Sequence, residues 1–515
     1  MNLQIKYTFV AITAAFLGFY ATSWAQAEPA LKVEFNAQGI TELVYNGYDY
    51  LESGKLQVDK AFFATPNGEV YEADLAGKTA FLSEQKAFVL TYPWGTVSIQ
   101  PKTEATHIVY SITVENHHET DSLAGIYLEL GCLRFPETPE IENKSWLFYT
   151  QSNMGHNLGQ PGIVAARSSA GTVVVCNEQI GEPLATGFGK ADTEVPSVLP
   201  IRVHTARHPM ALERFPFIER FIRPNGRDVF SISVRFTPRE QPLVATASDL
   251  YQKFAHIYPF ELDWSDRRPI GRAFLSSAGQ NWADNPRGWH HGFGGAQLDI
   301  NSDKGKQEFV RDLLKYADRA VEIAARNNAQ GIIIWDIEGQ QYPHSTSFLG
   351  DPRSLPPEMR LPVDTEGEAS PVIDVFFKKI TDAGLIPGIC IRPQQPMRPV
   401  YGNTITQVAW SDHRDRVNNV AEKISFARKQ WGCRLFYLDS DIEWKSDPVA
   451  IPGAAGHSAL RDPALLREIR RRFPDVLVMP EWEDLQTYAY AAPYSQLNYN
   501  KLCAPPDDVL ATYPQ

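Results

Sequence analysis

The spacing of apolar and polar positions changes once along the chain, near Pro269. Between residue 31 and about residue 240, short runs rich in Val, Ile, Tyr, Phe and Thr alternate with polar residues: AFVLTYPWGTVSIQ, HIVYSITVEN, AGIYLELG, GTVVVC and DVFSISVRF. A period of two puts one face of each run on a core and the other toward water. Gly, Asn and Pro punctuate the runs at short spacing, so the pattern predicts a sandwich or barrel of strands. Residues 238 to 269 carry one helical run, ATASDLYQKFAHIY, and then the polar stretch DWSDRRP. The domain boundary falls there.

Beyond Pro269, strand-like runs alternate with helical ones. The strands are IGRAFLSS, GIIIWDIE, IPGICIRP, RLFYLDSD and DVLVMPE, with a weaker sixth, SQLNYN, and a candidate seventh, VLATYP, near the end. The first helix runs through about Lys306 to Asn327, with Phe309, Val310, Leu313, Leu314, Ala317, Val321 and Ala324 on one face. The next begins at Pro371 and presents Ile373, Phe376, Phe377 and Ile380. A third carries Val417, Val420, Ile424, Ala427 and Trp431, and a fourth opens with Asp462-Pro463, a favourable N-cap and N1 pair. Repeated βα units imply a parallel sheet with right-handed crossovers. Long loops after the first two strands, and no GxGxxG after the first, favour a barrel over an open doubly wound sheet. The expected fold is multidomain β plus α/β: an N-terminal β-sandwich followed by a (β/α)8-type TIM barrel, whose completeness five strong strands leave open. The divisions are 1–27 signal peptide, 28–240 sandwich, 241–268 linker and 269–515 barrel.

Length agrees with this division, since 515 residues exceed what one core accommodates. Lys6 is the only charge in the first 27 residues; an apolar stretch from Tyr7 to Tyr20 and then Ala25-Gln26-Ala27 complete an export signal, predicting a mature chain that starts at Glu28. The apolar stretch falls short of the about 20 residues of a membrane span. No Cys follows the cleavage site, and no later segment is apolar enough to insert in a bilayer. The expected location is the periplasm or the exterior. Losing Lys6 takes the formal charge from −12 to −13, and an acidic surface argues against nucleic acid or anionic lipid as partner. The five cysteines, Cys132, Cys176, Cys390, Cys433 and Cys503, have no zinc spacing. Cys132 with Cys176 is a candidate bridge.

Barrel active sites lie at the C-terminal ends of the strands. Here those ends are acidic: Trp335-Asp336-Ile337-Glu338, Arg392, Asp439-Ser440-Asp441 and Glu481-Trp482-Glu483. Alternation pairs Asp336 with Glu338, Asp439 with Asp441, and Glu481 with Glu483 on single sides. Carboxylates crowded into one basin repel, an arrangement that makes sense where shifted pKa values are used. The alternative is a set of N-caps and salt bridges. Asp439 stands out because it closes a buried strand, LFYL. Arg392 reads as partner to a carboxylate in that basin. The loop after strand one, NWADNPRGWHHGFGG, offers Trp282, Trp289, His290, His291 and Phe293. Flat aromatic faces suit sugar rings, and packing of the loop is the competing use. Adjacent histidines point apart, so neither a metal nor any other cofactor is expected. Nucleophilic-Ser, phosphate-loop and Cys/His patterns are absent, which leaves paired carboxylates and glycoside hydrolysis.

Several segments resemble the melibiase-type glycosidases of the α-galactosidase superfamily. GICIRP at Gly388 to Pro393, FYLDSD at Phe436 to Asp441 and RRFPDVLVMPE are similar to the family's strands three to five, and THIVYSITVENHHETDSLAGIYLELG is similar to its N-terminal β-supersandwich. The resemblance implies a strand-four Asp as nucleophile, here Asp439. The family's Lys two residues earlier is replaced by Tyr437, and SQLNYN has no Asp to match its strand-six acid/base. Glu481 takes that role in our reading, with Asp441 and Asp336 as supporting acids. Trp282, Trp289, His291, Trp335, Glu338, Arg392 and Glu483 are the expected carbohydrate contacts. A non-catalytic sugar-binding protein and a polysaccharide lyase are the alternatives.

Overall fold

The computed structural model describes residues 31–143, 154–155, 161–182, 184–189, 195–205, 220–277, 283–290, 298–339, 350–397, 406–409, 413–439, 442–446, 457–461, 463–481, 485–492 and 507–514. The expected signal peptide lies outside them, as does SQLNYN.

The N-terminal domain is a sandwich of two antiparallel sheets, one of eight strands and one of six. Strand His107–Asn116 alternates buried and more exposed residues along its length, the signature of one wet face. Its Ile108, Tyr110, Ile112 and Val114 share one core with Ile126, Leu128 and Leu130 of the opposite sheet. Strand Gly171–Asn177 is instead buried throughout. Its Val173 and Val175 join the sandwich core, while Val174 and Cys176, with Ile163 and Ala165 of the paired strand, face the linker helices. Burial on both faces explains why GTVVVC shows no polar alternation. It also removes the candidate disulfide: Cys132 and Cys176 belong to different sheets, and both are free and buried.

The linker folds as two helices, Leu243–Thr246 and Ser248–Ile257, whose Leu243, Leu250, Tyr251 and Phe254 belong to the same core as the barrel. Arg235 locks this joint. It is 5% exposed and bonds Glu178, Asp249, the Ser233 hydroxyl and the Thr246 carbonyl.

The second domain holds five parallel strands: Ile270–Phe274, Gly331–Trp335, Ile386–Ile391, Leu435–Leu438 and Leu477–Pro480. They lie side by side in chain order. That order is one a barrel would have, whereas a doubly wound sheet reverses direction. Among the described residues the sheet does not close, so the full barrel is not seen. Ile333, Trp335, Cys390, Leu435, Tyr437, Leu477 and Met479 form its inner layer, with Trp264 entering from the linker. Ile332, Ile334, Ile389, Ile391, Phe436 and Leu438 face the helices. The first helix, Asp303–Arg326, is capped by the Ser302 hydroxyl, which accepts from Gly305 N at 3.0 Å. Helices Val372–Asp382, His413–Trp431 and Pro463–Arg472 follow the next three strands.

The expected seventh strand is a helix, Asp507–Thr512. Two acids in its first turn favour the positive end of a helix, and Val509 and Tyr513 turn inward onto the core. Tyr513 Oη donates to the Tyr258 carbonyl at 2.7 Å, so the segment closes on the linker instead of extending the sheet. No helix among the described residues is long and apolar enough to cross a membrane.

Candidate active site

The parallel ladder runs one residue past strands three to five. Asp439 N donates to Ile391 O and Glu481 N to Leu438 O, each at 2.9 Å. Side chains alternate along a strand, so Arg392, Asp439 and Glu481 continue the inward positions of Cys390, Tyr437 and Met479. The three stand abreast on adjacent strands, at the C-terminal ends of the parallel sheet. Arg392 grips Asp439 with Nε at 2.6 Å and Nη2 at 2.5 Å, both on Oδ2. Glu481 is partly exposed.

Strand two reaches the same place by a different route. Its regular pairing ends at Trp335, and Asp336 takes a left-handed φ of 62°. Gly339 N then donates to Asp336 O at 2.9 Å and closes a turn. This turn, and not the strand alternation expected from sequence, brings Asp336 near enough to Glu338 to feel its charge. A non-glycine residue held there costs about 1–3 kcal/mol, which surrounding structure must offset. Asp336 is 6% exposed. Burial, then the neighbouring Glu338, pushes its carboxyl up to about 7. The Ser276 hydroxyl and Arg392 pull it down, and Asp439 adds to the rise. The Ser276 hydroxyl approaches without the geometry of a full hydrogen bond.

Glu338 is more deeply buried, at 1% exposure. Burial pushes it up to about 7, against the pull of backbone hydrogen bonds. Its Oε1 accepts from Asp351 N at 2.5 Å, and its Oε2 has no hydrogen-bond partner among the described residues. Asp351 is different. Burial raises it, but the Arg353 fork, at 2.8 and 2.7 Å, and the charge of Lys423 outweigh that and hold its carboxyl below the ordinary range.

Lys423, on the His413–Trp431 helix, is fully buried. Its Nζ donates to the Arg392 carbonyl at 2.7 Å. Burial pushes its amine down to about 8, against the attraction of Asp351 and Glu338. Sequence reading missed it. The available signal was its position in the apolar stripe, between Val420 and Ala427, where a lysine needs a partner.

Two expected sugar contacts turn out to be core. Trp289 is 0% exposed, its ring packs 5.4 Å from Phe309, and Asn285 binds its backbone on both sides. The aromatic pins the loop, which was the competing use. Trp335 is 6% exposed and packs in the inner layer 4.9 Å from Tyr437, beneath the acids, because alternation turns it toward the barrel axis. Trp282, His291, Asp441 and Glu483 lie outside the described residues, together with Phe293. No group of His, Cys, Asp and Glu among the described residues is placed to hold a metal.

No family model matches this sequence, and no curated protein does. Solved structures do match by shape. An α-N-acetylgalactosaminidase from Bifidobacterium bifidum, in complex with GalNAc, aligns at a TM-score of 0.50 and 9% identity, covering 93% of this chain and 81% of that one. A sulfoquinovosidase from E. rectale aligns at 0.43 and 9%, covering 90% and 68%. The cycloalternan-forming enzyme from Listeria monocytogenes aligns at 0.39 and 8%, covering 91% and 45%. The first likeness is one of overall fold, in keeping with the loose melibiase-type resemblance. At such identity it speaks to fold alone.

Proposed function

We propose that the chain is an exported glycoside hydrolase acting on poly- or oligosaccharides with retention of configuration. Asp439 is the nucleophile and Glu481 the general acid/base, with Asp336 and Asp441 as supporting acids. The observation that carries this reading is the row of Asp439 and Glu481 on adjacent, in-register strands. Neighbouring strands lie about 4.8 Å apart. That backbone spacing leaves room for the about 5–5.5 Å between carboxyls of a retaining pair. A fold neighbour that is an α-N-acetylgalactosaminidase supports the substrate class.

In this mechanism Arg392 occupies Oδ2 of Asp439 and leaves Oδ1 to attack the anomeric carbon. Glu481 gives its proton to the departing glycosidic oxygen as that C–O bond breaks and the glycosyl ester forms. Glu481 then takes a proton from the water that hydrolyses the ester. Asp336, held near 7, lies in the range where a carboxyl exchanges protons at neutral pH.

A sugar-binding protein on a degenerate barrel is the second reading, favoured by the same two-nitrogen grip on Asp439. Purified protein and Asp439→Asn should be assayed against a polysaccharide panel with reducing-end detection. Turnover in the wild type, lost in a folded variant, is expected. Near wild-type turnover in that variant removes Asp439 and moves the role to Asp441. Sugar binding without any wild-type turnover establishes the second reading. Export is tested separately: N-terminal sequencing of protein recovered outside the cytoplasm should read from Glu28, and a retained Met1 would refute it.

A further inference from the structure

We infer that Lys423 is a positioning residue: it fixes Arg392, and through Arg392 the orientation of Asp439. The inference rests on the glycosidase reading for its kinetic consequence, but its geometry stands alone.

Arg392 sits just past the end of strand three, and two contacts from outside the sheet hold its backbone. Lys423 Nζ donates to the Arg392 carbonyl at 2.7 Å, and Arg392 N donates to the Gly350 carbonyl at 3.1 Å. The residue is therefore pinned on both sides of its Cα. Gly350 has a φ of 62°, and a Cβ there would lie 2.7 Å from Arg392 N and from its Cγ. The close approach needs glycine. From this fixed backbone the guanidinium reaches Oδ2 of Asp439 with two nitrogens. A carboxylate held by two nitrogens on one oxygen cannot rotate without breaking a charge-assisted bond.

A buried ammonium is costly, so its retention calls for a compensating task. The groups facing it are Asp351 and Glu338, which attract it, and Arg353 and Arg392, which oppose it. Asp351 and Arg353 already bond each other through a full fork. The carbonyl of Arg392 is the bond by which Lys423 reaches the strand end that carries the chemistry. Helix His413–Trp431 is thereby tied to the catalytic row, although none of its residues belongs to that row.

The test compares Lys423→Met, Lys423→Arg and Gly350→Ala. Lys423→Met removes the grip on the carbonyl. Gly350→Ala displaces Arg392 from the other side and leaves the charge of Lys423 in place. Displacing a reacting group by about 1 Å costs on the order of a hundredfold in rate. The expected result is a kcat lowered about tenfold to a hundredfold in Lys423→Met and Gly350→Ala, a KM changed by less than about threefold, and substantial recovery in Lys423→Arg. Crystal structures of the variants should show both Arg392–Asp439 contacts lengthened. A folded Lys423→Met with unchanged kcat overturns the inference, and so does equal loss in Lys423→Arg. If Lys423→Met does not fold, Gly350→Ala decides by the same measurements. If the wild type turns over no glycoside, the glycosidase reading fails by itself. The Arg392–Asp439 geometry of the variants then settles the positioning role: lengthened contacts uphold it and unchanged ones end it.

Discussion

Arg235 and Arg392 are both buried arginines that face carboxylates, and their surroundings could hardly differ more. At the joint between sandwich and linker, Arg235 spends its donors on Glu178, Asp249, a hydroxyl and a carbonyl. Its guanidinium is held well above its ordinary pKa, the acids and Cys176 overcoming the cost of burial. At the strand ends, Arg392 puts two nitrogens on one oxygen of Asp439. Near it, among the described residues, stand Asp336, Glu338, Asp351 and Asp439, with Lys423 and Arg353. Two of these carboxyls, Asp336 and Glu338, are pushed up to about 7. At the joint the charges are paired off, whereas at the strand ends burial and neighbouring acids hold two carboxyls away from their ordinary range.

The contrast makes opposite forecasts for the two places. On the proposed mechanism, Asp439→Asn should bring the largest change, a loss of turnover on the order of a thousandfold or more, because an amide cannot form the glycosyl ester. Its melting temperature should change less than that of Arg235→Met at the joint, since the loss of the Arg392 ion pair is offset in part by the departure of a like charge beside Asp336. Arg235→Met should do the reverse. Removing one partner of a buried pair costs about 3–5 kcal/mol. The low end applies, because the Asp249 side chain is 62% exposed and water takes over part of its loss. A drop of roughly 6–12 °C in thermal melting should follow, with kcat unchanged below the transition. Equal loss of turnover and stability in both variants would erase the distinction.

The strands, helices and their order were legible because each carries a strong period and defined ends. Ile332 to Trp335 or Val372 to Ile380 admit few other readings. The segment VLATYP was misread because six apolar-rich residues fit either a strand or a helix, and its contact with Tyr258 decided the matter. Of the site, the row of Arg392, Asp439 and Glu481 followed from alternation along regular strands. Asp336 did not, because a left-handed residue breaks the alternation and nothing in WDIEG announces one. Trp289 was misplaced because a loop aromatic looks the same in sequence whether it meets solvent or Phe309. Lys423 was invisible to a search along strand ends, since it arrives from a helix.

The smallest expected effect bears most directly on the two carboxyls that burial shifts upward. Glu338 has a folded pKa of about 7, raised by burial, against about 4.3 in an unfolded chain. Between about pH 4 and about pH 7 the folded protein therefore keeps a proton that the unfolded chain has released. Stability from this group is complete below that window and declines as pH rises through it. Glutamine at 338 is neutral at every pH and lacks the decline. It can still accept from Asp351 N through its amide oxygen, but its NH2 takes the place of the unpartnered Oε2. That costs about 1–3 kcal/mol at all pH values. The observable is consequently a difference in slope, not in level. Melting curves of wild type and Glu338→Gln should converge, or cross, as pH rises from 5 to 8, by about 1–2 kcal/mol or roughly 2–8 °C. Asp336 shares the titration, so part of the slope should persist in the single variant and shrink further in the Asp336→Asn, Glu338→Gln pair. Parallel curves for wild type and both variants would show that these carboxyls are ionised throughout. The contrast between the two regions would then fail at its most sensitive point.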